Sequence, residues 1–140
     1  MYSMRVRSVM ERGKRVVALP GTTVAKAAKM MAKKNVGAVM VVEEKHLVGI
    51  FTERDVVIRV VAEGRDVATT RIGDVMTPSP ITIGPDEVFG RALLLMHDNG
   101  FRHLPVVEQG EPIGIVSSRS ALDPEMEEFV SETQRRLNLR

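Results

Sequence analysis

The chain has no cysteine and no tryptophan, and only four phenylalanines and one tyrosine in 140 residues. Without cysteine there is no disulfide, no thiolate nucleophile and no zinc site built on thiolates. Aromatics at 4% leave few platforms on which single-stranded bases could stack. Charge of one sign is scarce too: twenty Lys and Arg face eighteen Asp and Glu, a formal net charge of +2. An electrostatic affinity for nucleic acid is therefore not expected, and only the basic stretch of Arg5, Arg7, Arg12, Lys14 and Arg15 points the other way. No run approaches the roughly 20 apolar residues that span a bilayer, and MYSMRVRSVMERGKR lacks the apolar segment of a signal peptide. A cytoplasmic protein with no membrane contact is expected.

What the chain does have is 44% hydrophobic residues, enough for a core at this length, and an internal repeat. Val9-Met10 answers Val75-Met76, Pro20 answers Pro85, Val24 answers Val88 and Asn35 answers Asn99. Val42 answers Val106, Gly49 answers Gly114 and Arg54 answers Arg119. The offset drifts between 66 and 64, with the slips placed in loops, where length changes are tolerated.

Each copy switches periodicity in the same order. A short β-branched strand, 15–19 or 80–83, precedes a turn with Pro-Gly or Gly-Pro. A helix follows: Val24, Ala27, Ala28 and Met31 after Thr22 or Thr23 as N-cap, and Val88, Ala92, Leu95 and Met96 after Asp86. Asn35 and Asn99-Gly100 suit the left-handed helix ends. Two apolar runs around a polar turn then read as a hairpin, 38–42 with 47–51 and 103–107 with 113–116. A second helix closes the first copy near Gly64, and Pro124 cuts its counterpart short. In the tail, Met126, Phe129, Val130, Thr133 and Leu137 form a stripe that either packs on its own domain or meets a second chain. The predicted order is strand, helix, strand, strand, helix, twice, with the first copy in 1–65, the second in 66–122 and a helical tail in 123–140.

Three strings in each copy resemble the cystathionine-β-synthase (CBS) domain family. They are Val9-Met10 with Asp74-Val75-Met76-Thr77-Pro78, the hairpin strings Gly37 to Val42 and Phe101 to Val107, and Gly49-Ile50-Phe51-Thr52-Glu53-Arg54-Asp55 with Gly114-Ile115-Val116-Ser117-Ser118-Arg119-Ser120. The resemblance implies an α/β (α+β) fold in which tandem motifs pack about a pseudo-twofold axis and leave two related clefts. It also implies a homodimer, an adenosyl ligand such as AMP, ADP, ATP, NAD or S-adenosylmethionine, and regulation of a further, unidentified protein rather than catalysis.

The residues can be matched to that ligand. Asp55, an acceptor-only carboxylate, suits a ribose diol, and Thr52, at a strand-to-helix turn, suits a phosphate, with Ser117 as its counterpart. Arg102 can contact phosphate in bidentate fashion, and His103 adds charge if protonated. Their counterparts Gly37 and Ala38 carry none, and Ser120 stands where Asp55 would be repeated, so the Asp55 cleft is expected to bind better. Val16, Val17, Ile81 and Ile83 are candidates to enclose the adenine. Two plainer readings stand beside these. Thr52-x-x-Asp55 is also a capping box, and Arg102 is also a candidate ion-pair partner. A clefted pair with degenerate sites would be a structural homodimerisation module.

A Ser117 and His103 nucleophilic pair would lack both a Gly-x-Ser-x-Gly elbow and a third orienting group, so no enzyme is expected. His46 and His97 read as surface residues, and the three scattered histidines have no metal-ligand spacing.

Overall fold

The structure is a computed structural model that describes residues 2–11, 15–121 and 132–137. A short helix, α1 (Val6–Val9), precedes a two-residue strand, β1 (Val17–Ala18), and helix α2 (Val24–Lys34). Thr23 caps α2 by accepting the Lys26 amide at 3.2 Å, and Asn35 ends it in the left-handed region, as a residue with a short polar side chain can. β2 (Ala38–Glu43) and β3 (His46–Thr52) form the first hairpin. β3 runs into a helix whose first turn, α3 (Glu53–Asp55), is α and whose remainder, Val56–Val61, is π. The second copy comprises α4 (Ile72–Val75), β4 (Thr77–Pro78), α5 (Phe89–Asn99), the hairpin β5 (His103–Glu108) and β6 (Glu111–Ser117), and a 3₁₀ turn, Ser118–Ala121. Residues 132–137 are helical and exposed, whereas Met126, Phe129 and Val130 of the predicted stripe, and Pro124, lie outside the described residues.

The hairpins match expectation because both signals, apolar runs and turns, are strong. In each turn two residues take positive φ, Glu44 and Lys45 at 49° and 68°, Gln109 and Gly110 at 53° and 80°. That is the mirror-image turn whose twist suits a two-residue connection. The first strand of each copy is shorter than expected. β1 keeps two residues in parallel with β2, and in the second copy 80–83 contributes only a bridge from Ile83 to Val106. Prolines at 20, 80 and 85 crowd these stretches and withhold backbone donors.

The offset between copies is also steadier than the residue identities imply. α2 and α5 begin 65 positions apart, so Val24 corresponds to Phe89, and the helix-ending Asn35 to Gly100. Val88, expected on the apolar face, is instead the half-exposed N-cap of α5, while Phe89 is fully buried. Asp86 does not cap that helix. The hairpins keep the same offset, including a bulge after Val41 and after Val106.

Two cores lie on either side of a shared seam, and the short leading helices are exchanged between them. Val6 and Met10, which precede the first copy, pack with Phe89, Ala92, Leu104 and Val106 of the second. Ile72 and Val75, which precede the second, pack with Val24, Val39, Phe51 and Val60 of the first. Hydrogen bonds repeat the exchange. The Val6 amide donates to the Glu87 carbonyl at 2.8 Å and the Ile72 amide to the Thr22 carbonyl at 2.8 Å. Arg5 donates to the Asp86 carbonyl at 2.6 Å, and Arg71 to that of Gly21 at 2.8 Å. Arg7 pairs with Asp86 and Glu108, which raises its pKa. The basicity of Arg5 and Arg7 is thus met within the chain, while Arg12 and Lys14 lie outside the described residues. Between the cores, Ala38, Ile50 and Ile115 form a small cluster that joins the two halves, and the Leu47 amide donates to the Gly110 carbonyl at 3.1 Å where the hairpin tips meet.

Candidate functional site

Both strand-to-helix junctions are built alike. Thr52 caps α3, and the Asp55 carboxylate reaches back to accept the Thr52 amide at 2.9 Å and its hydroxyl at 3.2 Å through Oδ2. The other carboxylate oxygen pairs with Arg59 Nε at 3.5 Å, and Arg59 in turn donates to the Val75 and Met76 carbonyls at 3.3 and 2.8 Å, at the end of α4. Asp55 is buried by this arrangement. The capping box anticipated from Thr52-x-x-Asp55 is therefore present. In the second copy Ser120 Oγ accepts the Ser117 amide at 3.0 Å and lies 3.4 Å from the Ser117 hydroxyl, a one-oxygen version of the same device. Ser117 and Ser120 are both buried.

An open cleft with a volume of about 170 Å³ lies on the seam. From the second copy it is lined by Arg102, His103 and Ile115, and by the turn Ser117-Ser118-Arg119. From the first come Asn35, Val36, Gly37, Ala38 and Glu53, and Glu11 completes the wall. Of the residues singled out in the sequence, the cleft gathers Arg102, His103 and Ser117. Thr52, Asp55 and Ser120 are absent from its lining and are engaged in their capping interactions. Val16 and Ile83 are buried in the first and second cores respectively, Val17 is half-buried and Ile81 is exposed, and none of the four lines this cleft.

Glu11, Glu53, Ser118 and Arg119 escaped the sequence reading. The signal was at hand for three of them, because Glu53 lies inside the Thr52-to-Asp55 string, and Ser118 and Arg119 inside its counterpart. The ends of each string turn inward to cap the helix, which leaves the middle positions facing the seam. Pairing makes Glu53 and Ser118 equivalent: the Glu53 amide donates to the Gly37 carbonyl at 3.0 Å and the Ser118 amide to the Arg102 carbonyl at 3.0 Å.

The electrostatics of the cleft centre on His103. Burial pushes its pKa below the ordinary 6.5, Arg119 and Arg102 push the same way, and Glu53 opposes them. The imidazole is neutral at pH 7, so it offers one N–H donor and one acceptor rather than a charge. The copies approach closely at Gly37. A Cβ on it would lie 3.0 Å from both Glu53 Oε1 and His103 Nε2. Such a cleft, with two guanidiniums, hydroxyls and apolar walls of Val36, Ala38 and Ile115, can take a ligand that carries both an anionic and an apolar part.

Comparison with known proteins agrees with the architecture. The family described as "CBS domain" matches twice, at residues 6–62 and 72–124. A mitochondrial CBS domain-containing protein of Arabidopsis thaliana, CBSX3, is 40% identical over 118 residues, which are 81% of this chain and 57% of that protein. The chain thus spans little more than half of that relative, and 15–19% of some others. Among solved structures, the CBS domain protein PAE2072 from Pyrobaculum aerophilum, complexed with AMP, superposes with a TM-score of 0.76 at 26% identity, covering 84% of this chain and 89% of that one. The CBS domain pair of protein MJ0100, in complex with 5′-methylthioadenosine and S-adenosyl-L-methionine, does so with a TM-score of 0.77 at 26% identity, covering 84% and 96%. Two family matches, one on each copy of the repeat, with the pair folded around a common seam, establish that the chain belongs to the CBS-domain family.

Proposed function

We propose that this chain is a regulatory module that binds an adenine nucleotide (AMP, ADP, ATP or NAD) in the seam between its CBS motifs, as a homodimer and without catalysis of its own. The convergence of Arg102, Arg119 and His103 in one cleft carries the proposal, because paired guanidiniums are suited to bidentate phosphate contact. The AMP and S-adenosylmethionine complexes of similar CBS pairs support the adenosyl class. In this reading Ser117 serves the phosphate side and the apolar wall of Val36, Ala38 and Ile115 takes the adenine, whereas Thr52, Val16, Val17, Ile81 and Ile83 lie outside the cleft lining. Asp55 has two oxygens with about four acceptor sites, of which Thr52 and Arg59 occupy three. A ribose diol would displace the Thr52 hydroxyl or Arg59, and displacement of Arg59 would couple the ligand to the end of α4. Ser120 offers the other cleft no equivalent.

Association is supported by the helix Val56–Val61, which leaves Val57, Ile58 and Val61 at least 47% exposed. No helix among the described residues is long and apolar enough to cross a membrane, and we place the module in the cytoplasm, acting on a protein partner.

The test is thermal unfolding of the chain with AMP, ADP, ATP and NAD. At least one should raise the midpoint, as any ligand of the folded state must, and Asp55→Ala should diminish that rise. A second reading is favoured by the engagement of Asp55 in its capping box and by Ser120: a structural homodimerisation module with degenerate clefts. It predicts no rise with any nucleotide at millimolar concentration.

A further inference from the structure

Among the described residues that line the cleft, the charges balance. Arg102 and Arg119 supply two positive charges, Glu11 and Glu53 two negative ones, and His103 adds none at pH 7. The pseudo-twofold axis makes this balance uneven in space. Where the second copy presents Arg102 and Ser118, the first presents Gly37 and Glu53 in the same backbone pairing. Glu53 is exposed, and its carboxylate has no hydrogen-bond or ion-pair partner among the described residues. Oε1 flanks Gly37 together with His103 Nε2, so an unpaired negative charge stands at the seam beside the group of cations.

Resting on the nucleotide-binding reading above, we infer that Glu53 limits the phosphate charge the cleft accepts, so that adenosyl ligands with one phosphate or none bind better than the triphosphate. One phosphate can sit against Arg102 and Arg119. Each further phosphate extends the anion across a cleft with no third cation among the described residues of its lining and brings it toward Glu53 or Glu11. Like charges at such separations repel, more strongly as water is excluded between them.

Calorimetric titration of the full chain with adenosine, AMP and ATP in magnesium-free buffer at neutral pH tests this. The wild type should bind AMP more tightly than ATP. Glu53→Gln should tighten ATP about 5-fold, tighten AMP about 2-fold and leave adenosine unchanged, with both gains shrinking in high salt. A tightening is not something structural damage produces. Ser118→Glu, which plants the same charge in the second copy, should weaken ATP more than AMP, and it carries the test should Glu53→Gln not fold. A variant that binds AMP with an unchanged ATP-to-AMP affinity ratio would overturn the role of Glu53 alone, as would a wild type that prefers ATP. Failure of the wild type to bind any of the three removes the nucleotide-binding reading and this inference with it.

Discussion

His103 makes the fold sensitive to pH in a definite direction. Burial lowers its pKa in the folded state below the ordinary 6.5. Between that lowered value and 6.5 the unfolded chain holds a proton that the folded chain lacks, so stability rises with pH across the window. Acidification from neutral should therefore weaken the protein until folded His103 itself takes a proton. Urea midpoints measured across this range should show a shallower dependence in His103→Gln than in the wild type. Lys45 tells a different story at the same scale. It holds φ at 68° in a turn with neither Gly nor Asn, a conformation that costs an L-residue roughly 1–2 kcal/mol. Lys45→Gly should stabilise the chain by about 0.5–1 kcal/mol, read as a higher urea midpoint with unchanged slope.

Among the elements, the junction of β3 and α3 joins a capping box and an ion pair on one carboxylate, that of Asp55. Asp55→Ala removes the acceptor of the Thr52 amide and the partner of Arg59, a loss of about 1–2 kcal/mol judged by N-cap substitutions. Thermal unfolding without ligand measures it, and the nucleotide-induced rise must be scored from that lowered baseline. The elements also differ in how far the sequence disclosed them. Hairpins and the two long helices were legible because their apolar runs of four residues or more, bounded by clear turn and cap residues, fix the type of element. β1 was over-long in the reading since two paired residues leave no period to count. Val88 was taken for a core position because it repeats the identity of Val24. Identity is a weaker guide than geometry, and Phe89 fills the equivalent space. At the site, Arg102 and His103 stood out by chemistry. Glu53 and Arg119 did not, because which side of a one-turn helix faces a cleft depends on what packs opposite it. For the same reason the exchange of α1 and α4 was invisible: an apolar pattern declares burial without naming the partner.

At the scale of the whole molecule, that exchange makes a sharp prediction. Removing residues 1–10 strips Val6 and Met10 from the core of the second copy, not the first. Hydrogen exchange should accelerate at Leu104, Val106 and Val116 well before it does at Val39 and Phe51. Equal acceleration in both halves would contradict the packing. Self-association is checked at this scale too. Val61→Glu places a charge on the exposed face of the helix Val56–Val61, and light scattering should show the mass of two chains fall to that of one.

The crossed helices also bear on ancestry. A gene encoding only one copy would yield a polypeptide whose leading segment finds no home in its own hairpin, and whose own core stays uncovered. Two such polypeptides could satisfy each other by trading those segments. Fusion of their genes would then turn a partnership between separate molecules into an arrangement within one, and the covalent connection would make the trade permanent.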